Sequence, residues 1–185
     1  MIKTQILYIE IKNGSDINVG TIKKEESKMA TYLSTIGVHM YYAVEATKGT
    51  RPTAKSDYTE LVGVKGIPSM NPTPDNLETT TLNETEYKTY IPGLKDLGGS
   101  LGFTFNMSQD LKTAWEALVT ADATARASEK ATWFYIDVPG LTDGLFFTGQ
   151  PTPMGLPEMG VNSVLEVENS ITVTNEPAWA AKPAA

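Results

Sequence analysis

The stretch "SLGFTFNMSQDLKTAWEALV", residues 100–119, changes its hydrophobic period half-way along. The first part alternates apolar with small or polar residues, as in a β-strand with one buried face; its apolar residues are Leu101, Phe103 and Phe105. After Ser108 the spacing becomes helical, with Leu111, Ala114, Trp115, Leu118 and Val119 on one stripe. Ser108 is a suitable N-cap, and Asp110 stands in the first turn, where the helix dipole favours an acid. The stretch therefore predicts a strand followed by a helix over about 108–124.

Five further stretches predict β-strands, because they are rich in β-branched and aromatic residues or alternate apolar with polar ones. They are residues 36–45, 58–66, 131–138, 145–150 and 164–174. The connections between strands are mostly too short for parallel crossovers, so antiparallel pairing is expected. The sequence thus predicts a mainly-β domain, a β-sandwich or split barrel of about six strands with one packed α-helix.

The composition argues against several kinds of chemistry. The chain has 185 residues, 0 Cys and a single His, His39. Disulfides, thiolate metal sites and thiol nucleophiles are therefore excluded, and a serine–histidine mechanism is hard to defend. A formal net charge of −7 disfavours a nucleic-acid-binding surface. No apolar run approaches the roughly 20 residues that span a bilayer. We expect a protein that is not an enzyme and uses no cofactor or metal.

Two acids on the last long strand are the best catalytic candidates, and they are weak ones. Glu166 and Glu168 lie on the same side of a strand and about 7 Å apart, a separation found in inverting glycosidases. Alternating acids on an exposed strand face more often serve solubility. We therefore interpret Glu166 and Glu168 as exposed-face acids.

The two ends of the chain differ from its body. In residues 1–28 the run "KKEES" can be encoded by a purine-rich ribosome-binding sequence just before Met29, which favours a translated leader or a flexible arm. An added strand is the alternative interpretation. Residues 1–28 hold five lysines and four acids, so the remainder carries 10 basic and 18 acidic residues. We expect an acidic β-domain over 29–175 and a flexible tail over 176–185.

The segment 67–98 is far longer than an ordinary connection of about 4–6 residues. It contains four prolines and the stretch "TTTLNETEYKTYIPGL", residues 79–94, which is too polar for a core strand and too rich in β-branched residues for a helix. Its scattered apolar residues are too few for a core of their own and costly to leave in water. A surface that contacts a partner is the simplest interpretation.

In the order of its parts from Ala30 to Asn175, the chain resembles the major tail tube proteins of long-tailed, siphovirus-type phages. The resemblance is carried by "YLSTIGVHMYYA", by the long segment that contains "TTTLNETEYKTYIPGLKD", and by "VLEVENSITVT". It implies a β-sandwich with a flanking helix, assembled into hexameric rings that stack into a hollow tube. The long loop would reach neighbouring subunits and rings.

The resemblance also implies partners and a location. The partners would be other copies of the chain, a tape-measure protein, tail-end proteins and passing DNA that is not specifically bound; no membrane is involved. The subunit would belong to the virion tail and reside in the host cytoplasm during assembly. The resemblance assigns the interface role to seven residues of the long loop: Thr79, Thr80, Leu82, Tyr87, Tyr90, Ile91 and Leu94. Glu166 and Glu168 would face the lumen or solvent. A tail terminator or other neck component, and a carbohydrate-binding β-sandwich, are the alternatives.

Overall fold

The computed structural model describes residues 32–96 and 99–184 of the chain. The elements named below all belong to one compact unit, residues 33–185. The predicted leader or arm over residues 1–28 lies outside the described residues.

The described residues form ten β-strands, one α-helix and one short 3-10 helix. The strands are β1 His39–Val44, β2 Thr59–Leu61, β3 Val64–Gly66, β4 Thr73–Glu78, β5 Tyr90–Asp96, β6 Ser100–Asn106, β7 Thr132–Asp137, β8 Asp143–Pro151, β9 Glu166–Val173 and β10 Ala178–Ala181. The α-helix is α1 Gln109–Ala127, and the 3-10 helix is Lys55–Asp57. The predicted fold class, mainly β with one helix, is confirmed.

The main sheet has the strand order β2-β1-β7-β8-β9-β6-β3, with antiparallel pairing as predicted. Its two edge strands, β2 and β3, are consecutive in the chain and separated only by Val62 and Gly63. Three residue steps span at most about 11 Å. The sheet therefore has to curl until its two edges nearly meet, which is the geometry of a split barrel.

The turn at Val62–Gly63 corrects the prediction of one strand over 58–66. Gly63 has a φ of 79°, in the left-handed region, and a Cβ there would lie 2.9 Å from the carbonyl oxygen of Asn106. The Asn106 amide donates to the Gly63 carbonyl at 2.8 Å. Glycine thus lets the chain cross from one edge of the sheet to the other, against the end of β6.

Strand β8 joins the two halves of the sheet. Its residues 143–146 pair with β10, and its residues 149–151 pair with β9. The predicted flexible tail over 176–185 therefore differs from the structure, in which Ala178–Ala181 extend the sheet. Beyond it, Ala184 donates to the Thr53 carbonyl at 3.0 Å. The alanines fit because Ala180 packs against the aromatic cluster on the outer face of β7 and β8.

One apolar cluster fills the concave side of the curled sheet. It gathers buried side chains from six strands and from one face of α1: Met40, Tyr42, Leu61, Leu101, Phe103, Phe105, Leu111, Trp115, Leu118, Phe134, Ile136, Phe147, Val167 and Ile171. Ser108 caps the helix as predicted, since its hydroxyl accepts from the Leu111 amide at 3.1 Å. The indole of the fully buried Trp115 donates to the Thr152 carbonyl at 2.9 Å, which ties the helix to the end of β8.

A buried acid fixes the chain where β1 ends. Glu45 is 4% exposed and accepts hydrogen bonds from the Trp133 indole at 2.9 Å, the Gly49 amide at 2.9 Å and the Ala131 amide at 3.1 Å. Burial raises the pKa of Glu45, but these hydrogen bonds and the charge of Lys130 outweigh burial and hold the pKa below its ordinary value. The ionised form is therefore the one that holds the 45–49 turn to β7.

The outer face of the sheet differs between its two halves. On β1, β7 and β8 this face is covered by a second cluster of Ala43, Tyr58, Tyr135 and Phe146, and the Arg51 guanidinium lies 4.0 Å above the Phe146 ring. On β6 and β9 the same face carries small and polar residues: Ser100, Gly102, Thr104, Glu166, Glu168, Ser170 and Thr172. The apolar covering ends where β9 begins.

Candidate interaction surface

The long segment between β3 and β6 forms a two-stranded antiparallel hairpin, β4–β5, that pairs with itself and with no strand of the main sheet. We call residues 73–96 the hairpin. The sequence predicted an extended loop over 67–98 without strands. The sequence did not reveal these two strands, because neither alternates apolar with polar residues. Neither strand has a buried face that would impose such an alternation.

The predicted interface residues all lie in the hairpin, and its large apolar side chains are exposed. Leu82 at the tip is fully exposed, Leu94 is 87% exposed and Tyr87 is 78% exposed. Tyr90, Ile91 and the unpredicted Leu77 are each about half exposed. Exposed apolar patches of this kind mark interaction sites when they are contiguous. The exposed apolar side chains make the hairpin a candidate interaction surface.

Apolar residues occupy both faces of the hairpin. Leu77 lies opposite Ile91, whereas Tyr90, the next residue, lies opposite Glu78 and so points to the other face. A register shift between Pro74 and Asn76 then turns the strand near Leu94. A hairpin folded against its own domain would need apolar residues on one face only, so two apolar faces favour insertion between neighbours.

The two predicted threonines have a different position from the apolar residues. The Thr79 amide donates to the Thr89 carbonyl at 2.8 Å, and the Thr80 hydroxyl accepts from the Thr89 amide at 3.0 Å. These bonds extend the strand pairing toward the tip. Thr79 and Thr80 therefore shape the hairpin, and an interface role for them stays a prediction.

The base of the hairpin is tied to the end of β9. Lys95 forms an ion pair with Glu176 at 2.9 Å. A cavity of about 400 Å³ lies beside it, lined in part by Pro72, Gly99 and Asn175. These contacts hold the base of the hairpin, whereas the apolar side chains at its tip are exposed.

A second exposed apolar segment was missed in the sequence. It is the loop of residues 152–165 between β8 and β9, in which Val161 is 94% exposed and Leu156 is 84% exposed. Met159 and Val164 are also exposed. The signal available was the run of apolar residues broken by Pro153, Pro157 and glycines, which fits neither helical nor strand periodicity.

The two candidate acids lie apart from the hairpin, on the polar outer face of β6 and β9. Glu166 pairs with Lys65 of the edge strand β3. Glu168 is exposed and lies over Gly102, where a Cβ would collide with its side chain. One acid is therefore paired with a lysine, and the other lies exposed on the polar outer face.

Two absences concern the described residues alone. Across residues 32–96 and 99–184, no group of histidine and acidic side chains is arranged to hold a metal ion. In the same part of the chain, no helix has the length and apolarity needed to cross a membrane.

Comparison with known proteins gives a structural match and no sequence match. No family model matches the sequence, and no curated protein matches it. The fold is similar to a chain of the structure described as "Cryo-EM structure of the anti-feeding prophage (AFP) baseplate, 6-fold symmetrised", with a TM-score of 0.56 and 12% sequence identity. The similarity covers 83% of this chain and 98% of that chain. At this identity it establishes a shared fold.

Proposed function

We propose that this protein is a structural component of a phage tail, and specifically the subunit of a tail tube. Its copies would form hexameric rings, and the rings would stack into a hollow tube through which DNA is delivered. The fold similarity to a baseplate chain supports a tail component in general. The tube assignment is supported by the sequence resemblance and by the hairpin.

The hairpin is the observation that carries the proposal. Its apolar side chains project from a strand pair that the rest of the domain leaves uncovered. Aromatic and aliphatic side chains of this kind usually dominate the energy of protein interfaces. We expect Tyr90, Ile91 and Leu94 to anchor the hairpin on a neighbouring subunit, with Leu82 and Tyr87 at its tip.

The outer face of β6 and β9 is the candidate lumen wall. It offers small and polar side chains together with Glu166 and Glu168, and the chain as a whole carries a formal net charge of −7. An acidic wall would repel the DNA phosphates and so prevent adhesion while the DNA passes. In this proposal the tube assembles around the tape-measure protein, and the passing DNA is not specifically bound.

A tail terminator, baseplate or neck component is the second candidate, because the structural neighbour belongs to a baseplate. Such a subunit forms a single ring and has no need to stack on copies of itself. The two candidates therefore differ in whether the isolated protein forms stacks longer than one ring.

Negative-stain electron microscopy of the concentrated protein tests the proposal, with chains begun at Met1 and at Met29. Hollow tubes or stacked rings in either sample are the expected result. Single rings that never stack would favour the second candidate, and monomers in both samples at every concentration would count against both.

A charged hairpin variant links the assembly to the hairpin. Leu94→Asp places an acid on the exposed apolar surface and should abolish stacking. Asn83→Asp is the matched control, because it adds the same charge at the exposed tip and removes no apolar side chain. Equal stacking by the two variants would show that assembly does not depend on the apolar surface of the hairpin.

A further inference from the structure

We propose that the hairpin of one subunit docks on the 152–165 loop of a second copy of this chain, in a head-to-tail contact. The inference rests on the proposed assembly into rings, and it names the surface of the neighbour that receives the hairpin. Two separate exposed apolar segments of one chain would thus be the two halves of a single interface.

The hairpin leads into one end of the strand pair β6–β9. The 152–165 loop leaves β8 at Thr152, whose amide donates to the Ser170 carbonyl at 2.9 Å, and leads into the other end of the pair. The hairpin enters β6 at Ser100, which pairs with Thr172. The loop enters β9 beside the pair Asn106–Glu166, where the Met107 amide donates to the Leu165 carbonyl at 2.8 Å. A strand of this length rises about 20 Å. The apolar side chains of both segments are exposed within one chain, so the two segments do not cover each other there, and successive copies can bring them together.

Charge favours this pairing over contact between two hairpins. The hairpin carries five acids and two lysines, a net charge of −3, whereas the 152–165 loop carries a single charge, Glu158. Two hairpins in a symmetric contact would bring like charges together, which is destabilising. Glu168 on the outer face of β9 would repel the hairpin as well. The nearly neutral loop accepts an acidic hairpin at a low electrostatic cost.

The exposed areas are also of comparable size. From the exposed fractions of its six large apolar side chains, the hairpin presents on the order of 800 Å². That is about what one partner buries in a standard protein interface. Leu156, Met159, Val161, Val164 and Leu165 of the loop present roughly 600 Å² by the same reasoning. Because the apolar side chains of the hairpin are divided between its two faces, the loop covers part of this area and other surfaces of the neighbour cover the rest.

A head-to-tail contact uses the hairpin of one copy and the loop of the other, so it leaves a free loop on the first copy and a free hairpin on the second. Such heterologous contacts close into rings when the rotation between copies permits, and otherwise continue as open stacks. The arrangement therefore accounts for assembly beyond a dimer, which a hairpin-to-hairpin contact would terminate.

Cysteine cross-linking tests the inference on the full chain, which has 0 Cys and so no background. The variants are Leu82→Cys in the hairpin, Val161→Cys in the loop, and the double variant. Ala117→Cys on the exposed face of α1 is the control position. Each protein is concentrated, treated with a short bismaleimide, and separated by denaturing electrophoresis; the linked residues are identified by mass spectrometry.

We expect a cross-linked dimer from a mixture of the Leu82→Cys and Val161→Cys chains, with a yield at least tenfold above that of either chain alone or of mixtures with Ala117→Cys. The double variant should give a ladder of multimers, because each copy then carries both partners. Dimers from Leu82→Cys alone would show a symmetric hairpin contact and overturn the inference, as would a mixture that gives no link between residues 82 and 161.

Electron microscopy of the same samples distinguishes the two proposals. Rings or tubes without the 82–161 link would overturn the head-to-tail contact and leave the proposed function standing. The 82–161 link in dimers that never form rings would support the contact and count against the tube.

Discussion

The hairpin β4–β5 and the strand pair β6–β9 are both antiparallel ladders, yet the hairpin exposes its large apolar side chains and β6 buries them. Phe103 and Phe105 on β6 are fully buried, while Leu94 on β5 is 87% exposed. The difference arises outside the ladders, because α1 and the other strands cover the apolar face of β6 and nothing in the described chain covers β5. Backbone pairing alone therefore does not bury apolar surface.

The comparison also predicts a difference in stability. An isolated two-stranded sheet is marginal in water, whereas strands packed on a helix share the stability of the whole domain. The hairpin is expected to open easily in a single subunit and to become ordered when a neighbour covers it. Substitutions should affect folding in the main sheet and assembly in the hairpin.

The largest expected effect comes from Phe103→Ala. Phe103 is fully buried and stacks on Phe147 with ring centroids 6.2 Å apart. Its truncation should lower the free energy of unfolding by about 3–5 kcal/mol. Urea denaturation of dispersed protein measures the change. Leu82→Ala in the hairpin is the matched truncation. If it lowered the free energy of unfolding by more than about 1 kcal/mol, the contrast between the hairpin and the main sheet would be contradicted.

A smaller loss is expected from Gly63→Ala, at the turn that joins the two sheet edges. Gly63 has a φ of 79°, and its added Cβ would meet the Asn106 carbonyl at 2.9 Å. We expect a loss of about 2–3 kcal/mol in the free energy of unfolding. Gly49→Ala is the control, because Gly49 has a φ of 75° and nothing within 4 Å of an added Cβ, so only the backbone strain of about 1 kcal/mol applies. Equal losses in the two variants would show that the close approach to β6 costs nothing.

Acidic pH is expected to remove the stabilisation that ionised Glu45 gives to the fold. Because the pKa of Glu45 is lower in the folded chain than its ordinary value of 4.5, ionised Glu45 stabilises the fold above that value. The stabilisation is lost as the pH falls from there through the lowered pKa. At neutral pH, Glu45→Gln should cost about 1 kcal/mol. Urea denaturation over a pH series should show the variant and the original chain converging in acid, and a difference that persists unchanged would contradict the assignment.

The smallest expected effect on folding is that of Leu94→Asp. Its side chain is exposed in the single subunit, so the free energy of unfolding of dispersed protein should change by less than about 0.5 kcal/mol. The same variant should fail to stack. A destabilised subunit would mean that Leu94 is buried within its own domain. This result would contradict the proposed role of the hairpin as an interface.

The features of the fold that follow from periodicity were predictable. Leu101, Phe103 and Phe105 alternate because one face of β6 is buried, and the stripe on α1 repeats because the helix fills the concave side of the sheet. The break at Gly63 was hidden, since the sequence around it keeps a continuous β pattern across the turn. Strand β10 was hidden because its alanines carry almost no hydrophobic signal and depend on the aromatic residues beneath them.

Of the two exposed apolar segments, the sequence predicted the hairpin segment and not the 152–165 loop. Proline content and length marked the hairpin segment, and its large apolar residues are exposed as an interaction surface requires. Its strands were not foreseen because exposed strands lack a buried face to impose alternation. The 152–165 loop was missed for a similar reason: Val161 and Leu156 follow no period, and their exposure depends on the path of the chain between β8 and β9.

Amide hydrogen exchange across the hairpin, measured in dispersed subunits and in assembled particles, tests the central claim most directly. The account predicts fast exchange over 73–96 in the subunit and at least tenfold slower exchange in the assembly, with β6 and β9 slow in both states. Hairpin amides that exchange equally fast in both states would show that assembly leaves the hairpin uncovered, and would contradict the claim that it is the interface.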